Sequence, residues 1–205
     1  MDKFLALTDE KRTAILNAAL QCFGKFGYEK ASINDIAVAA HISKASVFQY
    51  FGSKKQIYIY LLEYCKKIIE GIFDKEALNS QTDLFDRILA SSRMEMESFQ
   101  NQPFILQFIT SVWEETSPEV ADALVILTEE VCKFRNDMVL REDDALKFKN
   151  PEDAQPVFQM LLLMAEGYAA RYRGAAAFDF QAAMEDFEEN IAILRKNFYK
   201  EEYQK

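Results

Sequence analysis

Apolar residues recur three and four residues apart along most of this 205-residue chain, and no stretch shows the sustained alternation of a half-buried β-strand. Only 6 glycines and 4 prolines are present, and every proline comes after residue 100, so long segments lack helix-breaking residues. This pattern predicts an all-α fold of about nine helices. Since half of the residues are hydrophobic, a chain of this length can bury a sizeable core.

Several classes of protein are disfavoured by composition. The longest near-apolar runs, around residues 104–113 and 161–165, are too short to cross a bilayer, and the N-terminus lacks the apolar stretch of a signal peptide. Cys22, Cys65 and Cys132 are far apart in sequence, which fits a reducing cytoplasm and no zinc site. With a single histidine and no glycine-rich phosphate loop, we expect neither an enzyme, nor a cofactor, nor a metal.

The net charge of −9 is unevenly distributed along the chain. Residues 1–55 hold eight lysines and arginines against five acidic residues, a net charge of +3, and the remainder carries −12. A small basic region followed by a large acidic one indicates two parts with different partners.

Helix-start and helix-stop signals divide the chain. Helices are predicted over 8–26, from 32 to about 40, over 43–51 and from 53 for about five turns, followed by 82–99, 103–114, 118–140, 152–173 and 179–199. The predicted N-caps are Thr8, Ser32, Ser43, Thr82 and Ser117. Gly27 is predicted to take the left-handed conformation that ends the first helix.

The third predicted helix has an unusual outer face. Val47 and Phe51 fit an inward face, which leaves six side chains outward, partly or wholly: Lys44, Ala45, Ser46, Phe48, Gln49 and Tyr50. Surface helices ordinarily carry Glu and Lys at such positions. A helix that enters a DNA groove instead uses Gln for base edges, apolar groups for thymine methyls, and Ser, Tyr or Lys for phosphates.

The stretch Ala31–Lys55 resembles the N-terminal domain of TetR-family transcriptional regulators, whose pattern is roughly T-x-x-x-I-A-x-x-A-G-V-S-x-G-T-L-Y-x-H/Y-F-x-S/N-K-E/D. The Ala-Ala-x-x-x-Phe-x-x-x-Gly-Tyr ending of the first helix matches as well. The resemblance implies a helix-turn-helix DNA-binding domain over residues 1–52 and a helical ligand-binding and dimerisation domain over residues 53–205. It also implies a repressor that a small molecule releases from a near-palindromic operator.

Four positions depart from the family pattern. His41 replaces a turn glycine, Ala45 a frequent glycine or proline, Ser46 a threonine and Phe48 a tyrosine. The loss of the tyrosine hydroxyl at Phe48 removes one phosphate contact, and histidine tolerates positive φ better than most residues do.

The resemblance implies a role for each matching residue. Lys44, Ala45 and Gln49 would read bases, with Phe48 offering an apolar contact, while Ser32, Ser46, Tyr50 and Lys54 would hold the DNA backbone. Simpler alternatives stay open: Ser32 only caps its helix, Gln49 is only solvated, and Lys54 only favours the start of the fourth helix.

The last two helices are expected to form a homodimer interface. Met184, Phe187, Ile191, Leu194 and Phe198 recur at intervals of 3, 4, 3 and 4, a narrow helix–helix stripe. The preceding helix adds Leu162, Ala165 and Ala169. The alternative is that both stripes face the core of a single subunit.

The middle helices are rich in Phe and Met, which suit a cavity for an apolar or amphiphilic effector and equally an ordinary core. The candidate pocket residues are Phe85, Met96, Phe99, Phe104, Phe108, Trp113, Phe134, Met138, Phe158 and Glu166. An acidic, aromatic lining would favour cationic amphiphiles. We expect no membrane partner. The rival function is a helical dimer that carries small molecules or lipids and does not bind DNA.

Overall fold

The computed structural model describes residues 2–172 and 179–204, without the side chains of Ala169 and Tyr172. Its α-helices are α1 (Asp2–Leu5), α2 (Asp9–Lys30), α3 (Ile33–Ala39), α4 (Lys44–Phe51), α5 (Lys54–Ile72), α6 (Lys75–Ser80), α7 (Leu84–Asn101), α8 (Pro103–Val112), α9 (Ala121–Val139), α10 (Ala154–Tyr172) and α11 (Phe180–Phe198). Short 3-10 helices follow α9 at Glu142–Lys147, precede α10 at Pro151–Asp153 and follow α11 at Glu201–Tyr203.

The predicted all-α fold is confirmed. The described part of the chain contains no β-strand, and its one β-type pairing is an isolated antiparallel bridge between Phe148 and Tyr199. None of the described helices is long and apolar enough to cross a membrane.

All nine predicted helices are present, with ends that differ by a few residues. The prediction missed α1 and α6, because helices of four and six residues are too short to show a helical period. Pro103 occupies the first position of α8, as predicted.

Two predicted helix starts are wrong. Asp83, not Thr82, caps α7, because its carboxylate accepts a hydrogen bond from the backbone N–H of Phe85 at 2.9 Å. The helix predicted from Pro118 begins only at Ala121, and Pro118 lies in a turn that precedes it.

The chain forms two compact units. Unit 1 comprises Met1–Glu70 and Asn101–Val131, and unit 2 comprises Gly71–Gln100 and Cys132–Lys205. Unit 1 therefore contains the predicted helix-turn-helix region together with α8 and part of α9. The functional division at residues 52 and 53 stays a prediction.

Unit 1 is built around α2, which packs closely on α8. A Cβ atom on Gly24 would lie 3.0 Å from atoms of Gln107 and Phe108, so glycine is needed for this approach of the two backbones. Gly27 breaks the helical path of α2 with a positive φ of 70°, but its ψ of 177° lies outside the predicted left-handed helical region, and the helix resumes as far as Lys30. The side chain of Tyr28, directly after the break, is buried.

Unit 2 has its own core, formed by side chains from α7, α10, α11 and the segments between them. Its fully or nearly fully buried members include Phe85, Phe148, Phe158, Phe187 and Tyr199. The rings of Phe85, Phe148 and Tyr199 pack against one another with centroid separations of 4.8 to 6.2 Å.

A buried ion pair lies in the same unit. The guanidinium of Arg87 pairs with Asp144, and neither side chain is more than 1% exposed. Arg87 also donates to the carbonyl of Val139 at 2.7 Å and to that of Gln81 at 3.1 Å. Removal of one partner would leave a buried charge without compensation, so a substitution of either residue alone should destabilise the fold.

Candidate nucleic-acid interface

Short-range capping holds the two helices of the candidate interface. The Ser32 hydroxyl accepts a hydrogen bond from the N–H of Asn34 at 3.1 Å, and the Ser43 hydroxyl accepts one from Ser46 at 3.0 Å. Both predicted N-caps are therefore confirmed. Each cap satisfies one of the four N–H groups that the start of a helix leaves unpaired.

The turn between α3 and α4 depends on one strained residue. His41 has a φ of 54°, and among the described residues it alone, glycines aside, has positive φ. The family glycine would adopt this conformation without a steric penalty. The turn therefore accounts for a residue that tolerates positive φ at this position, and no binding role for the exposed His41 side chain has to be assumed.

The structure confirms the predicted inner and outer faces of α4. Val47 and Phe51 are buried, and Val47 has no exposed surface at all. Lys44, Ala45 and Gln49 are exposed, and Phe48 keeps 43% of its surface accessible. Ser46 and Tyr50 are half-buried.

The outer face combines a cation with an aromatic ring. The Lys44 Nζ atom lies 5.9 Å from the centre of the Phe48 ring, within the range of a cation–π interaction. The exposed Lys44, Phe48 and Gln49 side chains therefore combine, on one short surface, the donors and the apolar group that base edges and thymine methyls call for.

Lys54, one of the predicted backbone contacts, already interacts with the end of α2. Its ammonium donates to the carbonyl of Glu29 at 2.9 Å and lies 4.7 Å above the Tyr28 ring. An ammonium has three donors, so a phosphate contact remains chemically possible beside this bond. Lys54 and the exposed Lys55 both line a crevice of about 440 Å³, which the sequence-based prediction did not include.

Tyr28, which lines this crevice, makes contacts that sequence reasoning missed. The Glu115 carboxylate accepts hydrogen bonds from the N–H of Tyr28 at 2.6 Å and of Ser117 at 2.9 Å. The Tyr28 hydroxyl donates to Glu119 at 2.6 Å. Burial of the Tyr28 side chain is the larger cause and this bond the smaller one of a pKa raised to about 12. We call this set of Tyr28, Glu115 and Glu119 the Tyr28 clasp; it ties the end of α2 to the segment between α8 and α9.

The candidate pocket residues are distributed over both units. In unit 1, Phe108 is buried with its ring 5.3 Å from that of Tyr58, Phe104 is half-buried and Trp113 is 41% exposed. In unit 2, Phe85, Phe99 and Phe158 are buried. The partly buried members there are Met96, Phe134, Met138 and Glu166.

For two of these residues an ordinary core is the better description. Phe85 and Phe158 lie in the closed core of unit 2, with at most 1% of their surface exposed. The pocket itself stays a prediction.

The predicted dimer stripe of α11 lies in the core of unit 2. Met184, Phe187 and Ile191 are buried there. Four further residues of the predicted interface are partly buried and pack against the same core: Leu162, Ala165, Leu194 and Phe198. Ala169 lies outside the residues whose side chains are described. The alternative reading of a subunit core therefore applies to the buried residues of this stripe.

Other residues form the exposed apolar face of these helices. On α10, Met160 and Leu163 are 51% and 66% exposed, and Gly167 and Ala170 continue the exposed series at intervals of four and three. On α11, Ile193 is 58% exposed. Residues that pack within a subunit are unavailable to a second one, so these exposed positions are the better candidates for an interface.

Comparison with known proteins agrees with the geometry. Residues 15–61 match the family model described as "Bacterial regulatory proteins, tetR family". The match spans α3, α4 and the start of α5, together with most of α2.

Two characterised relatives extend beyond that region. The chain is 27% identical over 135 residues to the HTH-type transcriptional activator FasR of Mycolicibacterium smegmatis, covering 65% of this chain but only 61% of FasR. It is 23% identical over 188 residues to the HTH-type transcriptional repressor Rv1474c of Mycobacterium tuberculosis, covering 88% of this chain and 91% of that protein. Both relatives are transcriptional regulators rather than enzymes.

A solved structure matches over nearly the full length. The crystal structure of a TetR family transcriptional regulator from Chloroflexus aurantiacus superposes with a TM-score of 0.73 at 21% identity and covers 98% of each chain. At this identity the likeness shows a shared fold.

Proposed function

Because the chain is a transcriptional regulator of the TetR family, we propose that it represses genes by binding a near-palindromic operator as a homodimer and that a small-molecule inducer releases it. The observation that carries this proposal is the outer face of α4. Phe48 and Gln49 are exposed there beside Lys44, on a capped helix whose opposite face is fully buried.

In the proposed complex α4 lies in the major groove. Lys44, Ala45 and Gln49 contact base edges, and the exposed Phe48 ring contacts a thymine methyl. Ser46, Tyr50, Ser32 and Lys54 contact the phosphate backbone and set the register. Ser32 keeps its capping bond, and the Ser46 hydroxyl keeps its hydrogen bond to the Ser43 hydroxyl, so each phosphate contact uses the remaining capacity of the hydroxyl.

Selection of bound DNA from a random pool tests this proposal directly. We expect two half-sites related by a two-fold axis, with centres about 34 Å or a multiple of that apart. Affinity should fall steeply as salt is added, because phosphate contacts release counterions. Selected sequences without two-fold symmetry would contradict the proposed dimeric complex.

Two substitutions assign roles within the interface. Lys54→Ala should weaken binding similarly on all sequences, whereas Gln49→Ala should change sequence preference. The matched controls are Lys67→Ala, which removes an equal charge from an exposed position farther along α5, and Gln21→Ala on the exposed surface of α2. If Lys54→Ala and Gln49→Ala both behave as their controls do, the role of this surface is wrong.

The proposed dimer uses the outer faces of α10 and α11. Met160, Leu163 and Ile193 supply exposed apolar surface, and Gly167 and Ala170 permit close approach of a second helix. The double substitution Leu163→Glu and Ile193→Glu should give monomers in sedimentation experiments. Val125→Glu, at an apolar position of α9 that is 57% exposed, is the matched control and should leave the dimer intact.

The proposed effector is apolar or amphiphilic and acts through α5. This helix follows α4 after two residues, so its tilt would set the spacing of the two recognition helices in a dimer. An inducer that prefers a tilt mismatched to DNA shifts the population away from the operator. The coupling is reciprocal, so operator DNA must weaken inducer binding by the same factor.

A ligand panel tests the effector proposal. The FadR regulator of Bacillus subtilis, similar in fold with a TM-score of 0.67 and 13% identity, was crystallised with stearoyl-CoA. We therefore include stearoyl-CoA beside cationic dyes and neutral apolar compounds. A ligand that raises the melting temperature and lowers operator affinity supports induction. If some ligands bind but the chain has no affinity for any DNA, the rival function of a helical carrier is correct.

A further inference from the structure

The short helix α1 places one aromatic side chain against the end of α4. Phe4 has no exposed surface, although its neighbour Leu5 is 54% exposed. The centre of the Phe4 ring lies 4.8 Å from that of Phe51 and 6.2 Å from that of Tyr50. It also lies 5.6 Å from the ring of Tyr60 on α5, in an edge-on arrangement. Four aromatic rings therefore meet where α4 ends.

The last turn of α4 depends on such packing. An isolated helix of eight residues is not stable in water, so its position is set by what it packs against. Val47 holds the middle of the inner face, and Phe51 holds the end, directly before Gly52 with its φ of 82°. Phe4 covers Phe51 and the adjacent Tyr50 ring, so α1 completes the support of this turn.

Arg12 fastens α1 to the rest of unit 1. Its guanidinium donates to the carbonyls of Leu5 and Leu7, each at 2.8 Å, and also pairs with Asp9. These two carbonyls follow Phe4 directly along the chain. The Nη1 atom donates to both carbonyls while Nη2 pairs with Asp9, so one planar guanidinium fixes the segment that carries Phe4. The single ammonium nitrogen of a lysine cannot reproduce this planar arrangement.

We propose that Phe4 is a positioning residue for DNA binding, which holds the last turn of α4 so that the Tyr50 hydroxyl meets the DNA backbone. The inference rests on the proposed function, because it assumes that α4 binds DNA. It adds the N-terminal segment, which lies before the residues that match the family model, to the parts of the chain that determine operator affinity.

A double-mutant cycle on the full-length chain tests the inference. In the wild-type background, Tyr50→Phe should weaken binding to the selected operator about tenfold, because a hydrogen bond to a charged phosphate is lost. In a Phe4→Ala background, the same substitution should weaken binding less than about twofold, because Tyr50 is already displaced. In a Phe4→Leu background, Tyr50→Phe should again weaken binding by most of the tenfold seen in the wild-type background.

Two further variants separate positioning from loss of stability. Leu78→Ala also removes a side chain with no exposed surface, but in unit 2, so the effect of Tyr50→Phe should remain about tenfold in that background. Arg12→Lys keeps the positive charge and creates no cavity under α4. It should reduce the effect of Tyr50→Phe in the same direction as Phe4→Ala does.

The outcomes distinguish the inference from the proposed function. The positioning role is wrong if the loss of operator affinity in the double variant equals the product of the losses in Phe4→Ala and Tyr50→Phe alone. It is also wrong if Tyr50→Phe binds the operator as tightly as wild type. If Phe4→Ala fails to fold, Arg12→Lys decides the question by the same criterion. A wild-type chain that selects no DNA would instead overturn the proposed function, before any variant is compared.

Discussion

Two helices of this chain, α4 in unit 1 and α11 in unit 2, carry equally regular apolar patterns but present them differently. In α4 the inner pair Val47 and Phe51 is buried, Tyr50 is half-buried and Phe48 is 43% exposed. In α11 the main apolar stripe is buried within its own unit, and only Ile193 among its large apolar side chains is more than half exposed. A helical period shows that a face is apolar, but it does not show what covers that face.

The largest expected effect contrasts two apolar residues of α11. Phe187→Ala should lower the free energy of unfolding by about 3–5 kcal/mol, because it empties a place in the core of unit 2. Ile193→Ala should change the stability of the subunit by less than about 0.5 kcal/mol, because that side chain is already exposed. Urea denaturation at low protein concentration measures both.

The same pair of variants also tests the interface. Ile193→Ala should weaken self-association in sedimentation experiments, although it leaves the subunit stable. If Ile193→Ala destabilises the isolated subunit as much as Phe187→Ala does, the contrast between the buried stripe and the outer face of α11 fails.

In α4 the corresponding contrast is smaller, because valine has fewer atoms to lose. Val47→Ala should lower the free energy of unfolding by about 2 kcal/mol, whereas Phe48→Ala should change it by less than about 0.5 kcal/mol. Phe48→Ala should nevertheless weaken operator binding in a fluorescence anisotropy titration. A strongly destabilised Phe48→Ala variant would mean that this ring supports the fold and is not a free contact surface.

The local parts of the fold were predictable from sequence. Helix periods, the caps Ser32 and Ser43, the break at Gly27 and the outer face of α4 all depend on residues within a few positions of one another. Short-range chemistry decides each of them, and the structure agrees with each.

Apart from the short helices and the shifted helix starts, the features that sequence reasoning missed depend on residues far apart in the chain. Tyr28 and Glu115 are separated by 87 positions, and Arg87 and Asp144 by 57, so no local pattern joins either pair. The choice between subunit core and dimer interface for α11 is equally non-local. It depends on whether α7 and α10 already cover the stripe, which the period of α11 itself cannot reveal.

The caps of unit 1 offer a finer test. Ser43→Ala should lower the free energy of unfolding by about 1 kcal/mol, since the Ser43 hydroxyl accepts the N–H of Ser46. Thr8→Ala is the matched control at the start of α2, where the side chain accepts no capping bond and the expected loss is smaller. Thermal unfolding of both variants in parallel measures the difference. Equal losses would show that the Ser43 bond contributes nothing beyond the intrinsic preference of the position.

The smallest expected effect concerns the Tyr28 clasp, where α2 has been broken by Gly27. Tyr28→Phe should lower the free energy of unfolding by about 1 kcal/mol at neutral pH, because the bond from its hydroxyl to Glu119 is lost. Burial, the larger cause, and this bond together raise the pKa of Tyr28 from 10.0 in the unfolded chain to about 12 in the folded chain. The stability that the protonated hydroxyl contributes is therefore fully present below the pKa of the unfolded chain. It must therefore disappear as the pH rises from about 10 to about 12.

The informative quantity is the difference in unfolding free energy between wild type and Tyr28→Phe at each pH, because groups common to both chains contribute to both values. That difference should shrink with increasing pH, since a charged phenolate would face Glu119 and Glu115 in the folded chain. Glu119→Gln should lower the pKa of Tyr28 only in part, because burial is the larger cause and remains. A difference independent of pH would show that the hydroxyl is open to water and that the clasp holds through the Glu115 carboxylate alone.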